Sequence, residues 1–386
     1  MQSPRVVILQ FNPERDDLTR GKSLSDGLSV AVQVGNTLWV ANDETVSLER
    51  LSLVRAGRRR GVRYGRHHKQ FPLDEYLRLP VPPPRNPAAL EEVDVEGLAI
   101  EGGYLWLVGS HSLKRRQPKL KGAKRARRQL AQVRRDGNRY LLARIPLVAS
   151  GGTYTLAKEA TRNGKRLVAA QLHGDGQAND LIEAVRNDKH LKSFLGIPGK
   201  DNGFDIEGLA VVGKRLFLGL RGPVLRGWAM ILEVRLEDDG DQPATLRLKA
   251  IGPKGRRYRK HFLQLGGLGI RDLCAQGSDL LILAGPTMGL DGPVNILRWR
   301  GGAAPDGESM VPASELKRVL DVPYGRGDDH AEGLTLFSWD GGKASSLLVV
   351  YDAASETRRL GVNQVAADVF RLPRASARSS SPVRSR

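Results

Sequence analysis

Apolar residues along this chain fall in short runs separated by glycine-containing turns, and one arrangement recurs. Asp94-Val-Glu-Gly-Leu98, Asp205-Ile-Glu-Gly-Leu209 and His330-Ala-Glu-Gly-Leu334 each lead through a few apolar residues and a turn into a second apolar run. Those second runs are Tyr104–Val108, Arg215–Leu220 and Ser346–Tyr351. Two degenerate copies complete the series. Asp26-Gly27-Leu28 passes through Gly35-Asn36 into Leu38-Trp39-Val40, and Arg271-Asp272-Leu273 passes through Gly277-Ser278 into Leu280–Leu283. Each unit predicts a β-hairpin whose second strand is buried on both faces. The glycine after each glutamate predicts a close backbone approach or an unusual dihedral.

Copies centred at 26, 96, 207, 272 and 332 predict radial repetition, an all-β β-propeller. Five blades fit best, and the 111-residue gap between the second and third copies leaves six or seven open. Further strands are expected at Arg139–Val148 and Leu167–Leu172, at Trp228–Leu236 and Thr245–Ile251, at Asn295–Trp299 and Arg318–Val322, and at Asp368–Leu372. The last unit is then one strand short. Arg5–Gln10, a strand without a blade, is expected to complete it and close the ring, which would protect exposed sheet edges. The expectation is a single domain over residues 1–373 with insertions near 55–87, 112–138 and 173–200, followed by a disordered basic tail at 374–386. Arg55–Lys69 with Pro80–Pro87 reads as loop, Lys114–Arg135 as a basic helix, and Ala178–Phe194 as a capped helix.

Composition narrows the function classes. Of the 386 residues 40% are hydrophobic, enough for a core, and the single cysteine, Cys274, excludes an internal disulfide and any cysteine-built metal cluster. A lone cysteine fits a reducing compartment. No membrane span and no secretory leader is legible, so a cytoplasmic location is expected. Net charge is +19, but four windows without any acid (Arg55–Lys69, Leu113–Arg135, Lys254–Lys260, Arg374–Arg386) hold 27 positive charges, leaving −8 on the remainder. The basic character therefore lies in insertions and the tail, on a slightly acidic core.

Several segments resemble a bacterial propeller family still labelled a domain of unknown function. They are the Asp-x-Glu-Gly-Leu hairpins, Gly109-Ser110-His111-Ser112 before a Lys/Arg-rich insert, Arg139-Tyr140-Leu141-Leu142-Ala143-Arg144, Gly219-Leu220-Arg221-Gly222-Pro223 and Gly327-Asp328-Asp329-His330. The hairpin motif is more distantly similar to the esterase-like domain of phytase-related proteins. That likeness implies hydrolysis of a phosphate or carboxylate ester.

In a propeller the first strand of each blade lines the central channel, so Asp26, Glu96, Glu207, Asp272 and Glu332 are expected to form a ring of carboxylates at one mouth. Two like charges at about 4 Å repel by roughly 4 kcal/mol at an effective dielectric of 20. The ring therefore calls for protonation, basic partners such as Arg221 and Arg271, or a bound cation, for which calcium is the best match. Hydrogen-bonded turn acids are the plainer alternative. His111 and His330 are candidate proton carriers or ligands, and equally candidate turn histidines. Lys114 and Arg115, with Arg221 and Arg271, are candidate anion-binding groups. Two functions follow: a metal-supported hydrolase of small phosphate or carboxylate esters, or a non-catalytic propeller whose basic inserts engage polyanions or a protein partner.

Overall fold

A computed structural model describes residues 3–18, 22–54, 62–84, 91–118 and 122–372. The tail at 374–386 and parts of the insertions at 55–61, 85–90 and 119–121 lie outside the described residues. The fold is all-β. Four-stranded antiparallel sheets follow one another along the chain, each opening with one of the predicted hairpins.

Sheet I consists of Leu28–Val34, Thr37–Asn42, Ser47–Val54 and Arg63–Pro72. Sheet II consists of Val95–Glu101, Tyr104–Gly109, Leu142–Ser150 and Ala170–Leu172. Asp205–Val212, Arg215–Leu225, Trp228–Val234 and Tyr258–Gln264 form sheet III. Gly269–Gln276, Asp279–Gly285, Val294–Trp299 and Leu316–Val322 form sheet IV. Sheet V holds His330–Phe337, Ser346–Asp352 and Gln364–Arg371, and its fourth strand is the N-terminal Arg5–Gln10. The expected closing strand is therefore in place. It also pairs in parallel with sheet I, Ile8 opposite Arg63 and Leu9 opposite Tyr64.

The hairpins turn where glycine permits a left-handed backbone. Gly102 and Gly103, at φ +62° and +87°, supply the pair of positive values that a tight hairpin turn requires. The glycine after each glutamate has a different task. A Cβ on Gly97 would lie 2.5 Å from Leu209 Cβ, and one on Gly208 would lie 2.8 Å from the Leu273 amide nitrogen. One on Gly333 would lie 2.8 Å from Val30 Cα. Close approach, not dihedral freedom, is thus what these positions need. The contacts run from sheet II to III, from III to IV and from V to I. A hydrogen bond from the Leu334 amide to Asp272 joins IV to V, and one from Ser29 Oγ to the Val95 carbonyl (2.6 Å) joins I to II. First strands therefore follow each other in a closed cycle. Apolar side chains fill every interface in it: Trp39 and Phe71 with Leu105 between I and II, Val108 with Leu209 and Leu218 between II and III, Phe217 with Leu273 and Ile282 between III and IV, Leu283 with Leu334 and Val349 between IV and V, and Val7 and Leu9 with Leu38 and Leu348 between V and I.

Four expectations are corrected. Arg63–Pro72, within the stretch read as loop, is the outer strand of sheet I; an outer strand tolerates Arg66 and Lys69 because its outward face meets water. The fourth strand of sheet III is Tyr258–Gln264, not Thr245–Ile251. Thr245–Leu248 instead crosses to extend sheet II, parallel to Ala170–Leu172. Among the described residues the basic insert is helical over Ala123–Leu130, carried on a small hairpin of Lys114–Arg115 and Val133–Arg134. The capped helix is confined to Asp180–Val185, where Asn179 Oδ1 accepts from the amides of Leu181 and Ile182 at 3.1 Å. Among the described residues no helix is long and apolar enough to cross a membrane.

Candidate functional site

Every first strand carries a β-bulge near its start, and in sheets II, III and V the residue left out of the ladder is a glutamate that borders the mouth. Pairing skips Ser29, Glu96, Glu207, Arg271 and Glu332 in sheets I to V. Bulges are a common device for re-aiming a side chain beside a site. Glu96, Glu207 and Glu332 are therefore equivalent positions. The remaining two are Ser29 and Arg271, not Asp26 and Asp272. Asp26 lies outside the cavity lining, with Arg359 Nε 3.0 Å from its carboxylate. Asp272 occupies the position that is glycine in sheets II, III and V. Its carboxyl turns back to accept from the amides of Leu273 (2.7 Å), Leu334 (2.6 Å) and Leu209. It fastens three first strands together, and burial pushes its pKa well up.

The three glutamates open onto a cavity of about 880 Å³ at the mouth, together with Asp43, Asp94, Asp205, Asp352, Arg139, Lys200 and Arg221. Part of this crowd is neutralised as an alternating chain. Arg221 holds Asp205 at 2.7 Å and Glu207 at 2.5 Å; Arg271 holds Glu207 at 3.0 Å and also Glu332. On the other side Arg139 joins Asp94 (3.0 Å) to Glu92, and donates to Ser112 Oγ at 2.9 Å. Arg221 is itself pushed upward: burial opposes its charge, but Glu207 and Asp205 outweigh it.

Glu96 and Asp43 stand outside this pairing. Neither carboxylate makes a hydrogen bond or ion pair among the described residues. Burial, then the charges of Asp94, Glu207 and Glu332, push Glu96 well above the usual carboxylate range. Burial, then Asp352 and Asp94, push Asp43 up to about 8. Lys200 borders the same cavity; burial and Arg221 pull its pKa down, and Glu332, Asp43 and Asp352 more than compensate.

The donor set does not suit calcium. Asp26 and Asp272 face elsewhere, Glu207 and Glu332 are engaged by arginine, and among the described residues no three His, Cys, Asp or Glu side chains are grouped to hold a metal ion.

The two histidines are not brought together. His111 is buried: its Nδ1 bonds the Gly109 carbonyl at 2.8 Å, so that nitrogen carries the proton, and its Nε2 accepts from Asn179 Nδ2 at 2.7 Å. Burial lowers its pKa to about 4. A neutral, fully bonded ring serves to hold the Asn179 cap. His330 does reach the mouth, half-exposed, with Nε2 3.4 Å from Asp291. It borders a side recess lined by Met288, Leu290 and Tyr324, three apolar side chains left largely exposed beside Arg271 and Glu332. Lys114 pairs with Glu92 (2.9 Å) and Asp136, and Arg115 with Asp201 (2.7 Å), on the cavity's basic rim.

Asp43, Asp352, Lys200 and Arg139 escaped the sequence reading. Asp43 directly follows the second strand of its hairpin and Asp352 ends its own, the register position that Arg221 holds in sheet III, so an acid or base at the end of the hairpin was the available signal.

The fold has solved counterparts of low similarity. Glutaminyl cyclase of Myxococcus xanthus aligns over 96% of this chain and 100% of its own, at 11% identity and a TM-score of 0.36. The PQQ-bound aldose sugar dehydrogenase of Streptomyces coelicolor aligns over 95% of this chain and 99% of its own, at 10% identity and a TM-score of 0.34. Among curated proteins nothing matches the chain. The family model described as "Protein of unknown function (DUF3616)" matches residues 27–368, from the first hairpin to the last strand, and the chain belongs to that family.

Proposed function

We propose that the five sheets are the blades of a five-bladed propeller whose mouth hydrolyses a phosphate or carboxylate ester by general acid–base catalysis. The observation that carries this reading is the pair of unpartnered carboxyls, Glu96 and Asp43, raised in pKa and bordering one cavity with Arg139, Arg221 and Lys200. Strongly perturbed acids in a cleft mark functional sites, and an acid titrating near ambient pH is the effective proton carrier. The distant likeness of the hairpin motif to esterase-like domains points to the same reaction class.

In this reading Asp43, once ionised, takes a proton from water as the water oxygen bonds to the ester carbon or phosphorus. Glu96, held protonated, gives its proton to the departing alkoxide oxygen as that bond breaks. Arg139, Arg221 and Lys200 offer positive charge to the oxygens that become negative in the transition state. Met288, Leu290 and Tyr324 would receive an apolar portion of the substrate, which favours an ester with one polar and one hydrophobic end.

A panel of p-nitrophenyl phosphates and p-nitrophenyl acyl esters of graded chain length tests it. Turnover is expected for at least one, with kcat/KM rising with pH through about 8 as Asp43 ionises. Asp43→Asn should lower kcat by roughly 10²–10⁴-fold, the usual worth of acid–base catalysis, and Glu96→Gln should do so on alkyl esters, whose alkoxide needs a proton to leave, more than on p-nitrophenyl esters, whose phenolate does not. Turnover unaffected by both substitutions would overturn the assignment.

A further inference from the structure

The helix Ala123–Leu130 is electrostatically ill-suited to stand alone. It carries Lys124, Arg125, Arg127 and Arg128 and no acid. Lys124 faces Arg127 and Arg128 at spacings of three and four, where like charges destabilise a helix. Lys124 and Arg125 also lie in the first turn, at the positive end of the helix dipole. Eight residues are too few for a stable isolated helix, and only Ala126 is buried. None of the four cations makes an ion pair among the described residues. The hairpin beneath is by contrast tied down, through Lys114 to Glu92 and Asp136 and through Arg115 to Asp201. An anchored base thus presents a helix whose adverse terms a dense array of negative charge would relieve.

We infer that this helix is a docking element for the phosphate backbone of a duplex nucleic acid. At about 1.5 Å per residue its length is roughly 12 Å, comparable to the width of a duplex major groove. At 3.6 residues per turn the four cations share one face, opposite the buried Ala126, and that face can be laid against a row of phosphates. The segment has no aromatic residue to stack on single-stranded bases. Nor does it have the broad apolar face by which an interfacial helix enters a membrane. Its chemistry is that of sequence-independent backbone contact. This inference stands apart from hydrolysis at the mouth.

Fluorescence anisotropy of a labelled duplex DNA, read over a sodium chloride series, tests it with the full chain. Binding is expected, with log affinity falling linearly in log salt. The variant Lys124→Ala/Arg125→Ala/Arg127→Ala/Arg128→Ala should lose at least tenfold in affinity at low salt and reduce the slope by roughly 3 to 4, one near-unit step per phosphate contact. A matched variant at the other basic loop, Lys254→Ala/Arg257→Ala, should bind like the wild type. Absence of duplex binding would overturn the inference, as would equal affinity of wild type and quadruple variant, or a preference for phosphatidylserine vesicles or a single strand over the duplex.

Discussion

Asp43 shows how one residue couples site chemistry to stability. Its folded pKa of about 8 lies far above the value of about 4 for a free aspartate. Between those two values the folded protein keeps a proton that the unfolded chain has released, so stability must fall as pH rises through that window. Below about 4 the contribution is fully present. Asp43→Asn abolishes the penalty, and at pH 8 to 9 it is expected to melt a few degrees above the wild type, with the difference vanishing near pH 4; differential scanning fluorimetry over pH reads this directly. A flat difference would show that Asp43 is not held protonated. His111 behaves oppositely, as a structural group. His111→Ala leaves Asn179 Nδ2 short of an acceptor in a buried place and should cost about 1–3 kcal/mol in denaturant unfolding.

At the scale of strands and turns, the repeat was legible because each hairpin has local signals: a glycine turn and a second strand apolar throughout. The five hairpins and the closing strand Arg5–Gln10 follow from them. The ring position was misplaced in two units for a physical reason. Side chains alternate faces along a strand, so the one-residue step between Arg271 and Asp272 changes the face, Asp26 lies three residues before Ser29, and the bulge that sets the register is invisible where the glutamate is absent. In sheet IV the fold places a base, Arg271, where sheets II, III and V carry an acid, and the neighbouring Asp272 mimics the motif. The outer strand of sheet III was missed because its pairing is remote, Tyr258–Gln264 joining Trp228–Val234 across the intervening crossover strand Thr245–Leu248. Two substitutions test this level. Gly208→Ala drives a methyl against the Leu273 backbone and should destabilise by about 1–3 kcal/mol. Removing residues 1–11 withdraws the buried Val7 and Leu9 and opens the cycle; it should abolish cooperative melting near the wild-type Tm, whereas an unchanged melting curve would refute closure.

Across the whole molecule, a cycle of sheets brings acids from distant parts of the sequence to one mouth, and arginines from neighbouring sheets neutralise part of them. The charge pattern legible in the sequence, an acidic core with basic inserts, becomes an acidic floor under a basic rim. Because the guanidinium groups of Arg221 and Arg271 pair with Glu207 and Glu332, exhaustive EDTA treatment should leave both Tm and ester turnover unchanged. Restoration by calcium after a loss would contradict this. The central claim is that the mouth keeps an unpaired carboxyl protonated near neutral pH. Carbon-13 NMR titration of the aspartate side-chain carboxyls, with Asp43→Asn supplying the assignment, measures it. The account predicts a midpoint near 8 for Asp43; a midpoint near 4 would contradict it.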